Sequence, residues 1–192
     1  YDTLHTNRTK AGGVILAMIL GLDRQRHKKL EILGAVIVCV LAPLMHFVYD
    51  WSGGNTVVGL LAATNESVWE HTKLIYFPML IYSIIEFLFL KPDFKRFFAA
   101  KAVALAFCSL AVISFFYTYT GVFGVELVVL DIICTFIWVI LGFVISYRLY
   151  FSRYRLERYL PLFCTLLVGQ LAMQVLFTPF APSLPLFVPP LE

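Results

Sequence analysis

The sequence predicts an all-α integral membrane bundle of about five helices, and three observations predict it. Of the 192 residues, 60% are hydrophobic and 14% charged, against roughly 25% charged in a soluble domain. Five apolar runs each approach the ~20 residues that a membrane crossing needs. Lysine and arginine cluster in alternate gaps between those runs, as cytoplasmic loops do. No Gly/Ser/Pro-rich linker, internal repeat or low-complexity tract divides the chain, so its length points to one domain.

Residues 1–29 form an N-terminal peripheral segment. The run Ala11–Leu22 is only about half a span, and Met18 is a candidate initiator that would set residues 1–17 apart from the native chain. The expected crossings are Leu30–Tyr49, Val68–Leu90, Phe97–Tyr117, Glu126–Tyr147 and Leu160–Phe180, together a bundle over residues 30–180. Pro78 is expected to kink the second of them. Residues 181–192 read as a proline-rich tail. Pro182, Pro185, Pro189 and Pro190 forbid a helix there, while Leu184, Leu186 and Phe187 give it an apolar side. The tail is read either as a lid over the polar end of the bundle or as an unstructured terminus.

The basic residues orient the bundle. Arg24, Arg26, Lys28 and Lys29 precede the first span. Lys91, Lys95, Arg96 and Lys101 fall between the second and third, and Arg148, Arg153, Arg155 and Arg158 between the fourth and fifth. Twelve of the fifteen therefore lie on one side. This predicts the amino end inside a cell membrane and the carboxyl end outside. The opposite face carries Tyr49, Trp51, Trp69, Tyr117 and Tyr119, expected as an aromatic belt. A net charge of +3 without interleaved exposed aromatics argues against a nucleic-acid partner. Cys39, Cys108, Cys134 and Cys164 sit in apolar runs without a CxxC pair, which predicts neither a disulfide nor a zinc-thiolate site. The lipid bilayer is the expected partner, and a homo-oligomer is compatible with the sequence.

The most informative stretch is TNESVWEHTK, residues 64–73, set between apolar runs on the outer side. Ser67-Val68-Trp69-Glu70 fits a capping box before the second span. Ser67 would accept from the Glu70 N–H, and the Glu70 carboxylate would return to the Ser67 N–H. Lys73 would pair with Glu70 on the helix surface. A cap gives no account of Asn65, Glu66 and His71 occurring together. Helical rise places His46 near the outer end of the first span and Asp131 near that of the fourth. Gln170 and Gln174 share one face of the fifth. The candidate polar cluster is thus His46, Asn65, Glu66, Glu70, His71, Asp131, Gln170 and Gln174. Within it, His46, Glu70 (or Glu66), His71 and Asp131 are the candidate ligands for a divalent transition metal such as zinc, iron or manganese. The other reading is a polar structural network. Glu86 and Lys101, at similar depth near the inner face, read as an ion pair or as snorkelling groups.

Three function classes remain: a membrane binding or interaction protein, slightly preferred; a metal-dependent hydrolase acting on a lipid-like substrate; and a small transporter or carrier subunit. An odd number of spans argues against an internal inverted repeat of the carrier kind. The segments His46–Asn55 and Asn65–His71, followed by Lys73, Pro78 and Pro182–Phe187, resemble those of DUF6512, a family of small multi-pass bacterial membrane proteins of unknown function. The resemblance spans roughly residues 30–188. It implies a fold class and a membrane address, and no activity.

Overall fold

The computed structural model describes the backbone of residues 2–189 and the side chains of residues 21–189. The expectation for residues 1–17 and the last three residues of the tail lies outside the described side chains. The elements are α1 (Asp2–Trp51), α2 (Thr56–Gly59), α3 (Val68–Leu90), α4 (Phe94–Phe123), α5 (Val128–Tyr150) and α6 (Leu160–Leu176). Short 3-10 turns lie at Leu156–Tyr159 and Pro185–Phe187, and no strand occurs among the described residues. Five helices are long and apolar enough to cross a membrane: Gly21–Trp51, Val68–Leu90, Phe94–Phe123, Val128–Tyr150 and Leu156–Leu176.

These match the five predicted runs, with ends shifted by a few residues. The helix that carries the first crossing, α1, runs through the expected start at Leu30 without a break. No proline or glycine interrupts residues 22–33, so the basic segment winds as one more helical stretch. Its His27 and Glu31 are buried. The helix ends are chemically marked. The Asp93 side chain accepts from the Arg96 N–H to start α4, and Gly124 ends it in the left-handed conformation (φ 69°). Asn55 caps α2 by accepting from Val57 and Val58 N–H. Two helices carry a proline beyond their first turn: α3 the expected Pro78, and α1 Pro43. Each deprives the carbonyl four residues earlier of its donor.

Four helices close a ring in the order α1, α3, α4, α5 and back to α1, and α6 lies outside it against α4. The core is apolar across the middle, where Val38, Ile75, Met79, Leu105, Val139 and Phe143 are fully or almost fully buried. Two glycines permit the close approach. A Cβ on Gly34 would collide with the rings of Tyr82 and Phe143, and one on Gly142 with the Cys108 sulfur. The outside of the ring is apolar as well: Ile32, Val36, Val40, Ile84, Leu88, Val129, Ile140, Leu162 and Val168 are exposed. A girdle of that size and continuity fits lipid better than water.

The chain alternates direction, which gathers the basic segments at one end. Arg24 Nε donates to the Tyr147 hydroxyl at 3.1 Å, and Arg26 donates to the Phe89 carbonyl at 2.9 Å. Arg96 donates to the carbonyls of Tyr150, Ser152 and Tyr154 and pairs with Glu157 at 2.6 Å. This is the basic end. The start of α3, with TNESVWEHTK, occupies the other, the motif end. The expected aromatic belt there is incomplete. Trp51 is exposed, but Trp69 and Tyr119 are buried. Trp69 packs against Phe177 and against Phe187 of the tail, with ring centroids 5.5 and 5.2 Å away. The tail therefore docks on the motif end through Phe187, itself buried.

Candidate functional site

The loop before α3 is organised by its own polar side chains. Ser67 Oγ accepts from the Glu70 N–H at 3.3 Å, as the capping pattern predicts. The reciprocal half of the box is absent. The Ser67 N–H donates instead to Asn65 Oδ1 at 2.8 Å, an Asx turn that bends the chain into the helix. Glu70 is thereby free to turn inward. Its Oε2 accepts from the Thr64 N–H at 2.8 Å and the Thr64 hydroxyl at 3.0 Å. Lys73 Nζ lies 2.7 Å from Oε1 and 2.8 Å from Oε2. Lys73 also donates to the Gly59 carbonyl at 3.1 Å and to the Thr178 hydroxyl. The surface pairing read from the sequence is corrected: Glu70 and Lys73 are buried, Lys73 completely. If Ser67 is a cap, Ser67→Ala should lower stability by about 0.5–2 kcal/mol, and Ser67→Asp should be nearly neutral. Thermal melts of the two variants in detergent decide it.

Glu66, pushed outward by the same Asx turn, meets the two histidines. His46 Nε2 of α1 lies 3.2 Å from Glu66 Oε1, and His71 Nε2 of α3 lies 3.6 Å from Glu66 Oε2. The two imidazole centroids are 5.6 Å apart. One ligand atom from each residue fits within 4.8 Å of the others. Ligands bound tetrahedrally at 2.0–2.2 Å stand about 3.4 Å apart, so this spacing suits one shared cation. His71 Nδ1 lies 2.9 Å from the Ser67 carbonyl. A carbonyl only accepts, so Nδ1 carries the proton, and in the neutral ring Nε2 turns a lone pair toward the Glu66 carboxylate. Two lone-pair groups at 3.6 Å repel unless a proton or a metal ion lies between them.

The three groups stand at the polar mouth of a cleft of about 460 Å³ between α1 and α5. Ala42, Pro43 and Phe47 form its α1 wall and Val128, Ile132 and Phe136 its α5 wall, with Leu74 of α3 also lining it. Asp131 and Glu126 line the cleft too. Asp131 Oδ2 accepts from the Tyr119 hydroxyl at 2.7 Å. Glu126, outside the helices, has its carboxyl raised above the ordinary value, first by burial and then by the charge of Asp131, while His71 opposes the shift.

The structure places His46 and His71 around Glu66 and turns Glu70 inward to Lys73. Asp131 lines the same cleft but is engaged by Tyr119. Asn65 is a turn former. Gln170 and Gln174 belong elsewhere: Gln170 Nε2 donates to Ser109 Oγ at 2.6 Å, and Gln174 Nε2 to the Thr72 hydroxyl at 2.8 Å, pinning α6 to α4 and α3. The Glu66 placement is legible only once the Asx turn is recognised. A carboxylate ahead of the cap points away from the helix axis, whereas Glu70 lies on its buried face.

A family model, DUF6512, described as a family of unknown function, matches residues 22–191. No curated protein and no solved structure matches the chain.

Proposed function

The chain belongs to the DUF6512 family, and we propose that it is a multi-pass membrane protein whose motif end binds a divalent transition metal through His46, Glu66 and His71. The observation that carries this reading is the pair of Nε2 atoms converging on one carboxylate, with the Ser67 carbonyl fixing the tautomer of His71. Imidazole and carboxylate donors suit zinc, iron or manganese. Three protein ligands leave a coordination position open toward the cleft, the arrangement of sites that hold a water or substrate.

The cleft supports binding of an amphiphile. Its volume lies in the range of small-molecule sites, and its lining combines apolar side chains of α1, α3 and α5 with a set of ionisable groups. A hydrolase is the second reading, favoured by Asp131 and Glu126 on the cleft beside the proposed metal, where a carboxylate can take a proton from water. A carrier is the weakest. The packed apolar layer of Val38, Ile75, Met79, Leu105 and Val139 argues against a continuous polar path among the described residues.

Elemental analysis of detergent-purified protein should find one transition metal per chain. His71→Ala and His46→Ala should each abolish it, and Glu70→Gln should retain it. A metal-free wild type after zinc loading and gel filtration would overturn the site. The same reading places the basic end in the cytoplasm and the motif end outside, supported by the twelve basic residues on one side. A topology reporter fused after Lys95 should be cytoplasmic, and one fused after Glu192 extracytoplasmic. Both on one side would contradict five crossings.

A further inference from the structure

At the basic end the four ring helices converge on a second ionisable cluster. α1 brings His27 and Glu31, α3 Glu86, α4 Lys101 and α5 Ser146, and all five are buried. Lys101 Nζ lies 2.9 Å from Glu31 Oε2 and 2.7 Å from Glu86 Oε2. Glu31 is satisfied as a carboxylate, because Oε2 accepts from Lys101 and Oε1 accepts from Ser146 Oγ at 2.8 Å. Glu86 is not. Neither of its oxygens has a hydrogen-bond partner: Oε2 has only the ion-pair approach of Lys101, and Oε1 faces His27 Nε2, equally without one, across 3.9 Å.

The charges leave a remainder. Two carboxylates and one ammonium sum to −1 with the imidazole neutral, and an uncompensated charge among packed helices is costly. The surrounding groups do not supply the balance. On α1, Arg24 and Arg26 are exposed and engaged by Tyr147 and the Phe89 carbonyl. On α3, the Tyr82 hydroxyl donates to the Leu30 carbonyl. On α5, Tyr147 accepts from Arg24, and Tyr150 accepts from the Asp93 N–H and stacks on His27. Among the described residues the only other buried lysine or arginine is Lys73, at the motif end.

We propose that this cluster is a proton-binding site, with one exchangeable proton on Glu86 Oε1 directed at His27 Nε2. That proton brings the sum to zero and gives Glu86 Oε1 and His27 Nε2 each a partner once the side chains close their gap. A divalent cation held by His27, Glu31 and Glu86 would instead raise the sum to +1 directly beside Lys101. Moving the proton onto His27 would create a second cation next to Lys101 and a second buried carboxylate. The neutral acid avoids both.

Infrared spectroscopy of the protein in lipid vesicles tests this. At neutral pH a protonated-carboxyl stretch should be present and should shift in heavy water. Glu86→Gln, which matches the neutral acid in shape, should fold normally and lose the band. Glu31→Gln removes the surplus charge, so Glu86 can ionise against Lys101 and the band should vanish there too, which keeps the test open if the first variant fails to fold. Glu126→Gln, at the motif end, should keep it. A folded wild type without the band would overturn the proposal, as would a band that survives either Glu86→Gln or Glu31→Gln. So would a stoichiometric metal that survives His46→Ala/His71→Ala and is lost in His27→Ala.

Discussion

Lys101→Met is expected to lower the stability of the bundle by about 3–5 kcal/mol, the scale for removing one partner of a buried ion pair. The reason is the sharing of one ammonium by Glu31 and Glu86 at 2.9 and 2.7 Å. Methionine fills the same volume, so packing is nearly conserved and the loss isolates the electrostatics. Its hydrophobic contacts with Phe97 and Phe143, which Lys101 Nζ approaches to 5.3 and 5.0 Å from the ring centroids, are retained in kind. Adding Glu31→Gln and Glu86→Gln to Lys101→Met leaves no carboxylate stranded in the cluster and should recover most of the loss. Denaturant midpoints of the single and triple variants provide the comparison. A single variant within about 0.5 kcal/mol of wild type would mean that water reaches the cluster and solvates it.

How much of this was legible in the sequence follows from how far apart the interacting residues lie. Span number and approximate limits depend on local composition, and they were readable because each apolar run carries its own signal. The pairing of Glu86 with Lys101 was readable from depth alone, since both lie near the same face. His27 was not, because nothing local says that the basic segment continues α1, and Glu31 and Ser146 were not, because which neighbour their helix faces meet is set by packing. At the motif end the shared depth of the polar groups is readable, but the sequence leaves Glu66 and Glu70 open as the carboxylate beside the histidines. The capping-box pattern assigned Glu70 to the Ser67 N–H. That N–H is taken by Asn65, and the freed carboxylate follows Lys73 into the interior. Gln170 and Gln174 share a face as expected, but which neighbour that face meets is set by α6 packing outside the ring. Helical spacing cannot report that.

The second large effect is expected at Lys73, and its size separates two descriptions of the opening stretch of α3. A Glu–Lys pair at i, i+3 on an exposed helix surface contributes about 0.2–0.5 kcal/mol. Lys73 is instead fully buried, and its three donors reach Glu70, the Gly59 carbonyl at the end of α2 and Thr178 after α6. It ties three segments that are distant in sequence. Lys73→Met should therefore cost about 3–5 kcal/mol, because the Glu70 carboxylate remains buried with only the two Thr64 donors and a carbonyl loses its partner. Glu70→Gln alone should cost less, since the amide can still accept from Thr64. Combining Glu70→Gln with Lys73→Met should cost clearly less than the sum of the two, with a coupling of about 0.5–3 kcal/mol. Metal content at His46, Glu66 and His71 supplies the control: it should persist in Glu70→Gln, whose carboxyl points away from the histidines. A Lys73→Met protein that loses under about 0.5 kcal/mol would return the pair to the helix surface and remove the tie between α2, α3 and the segment after α6.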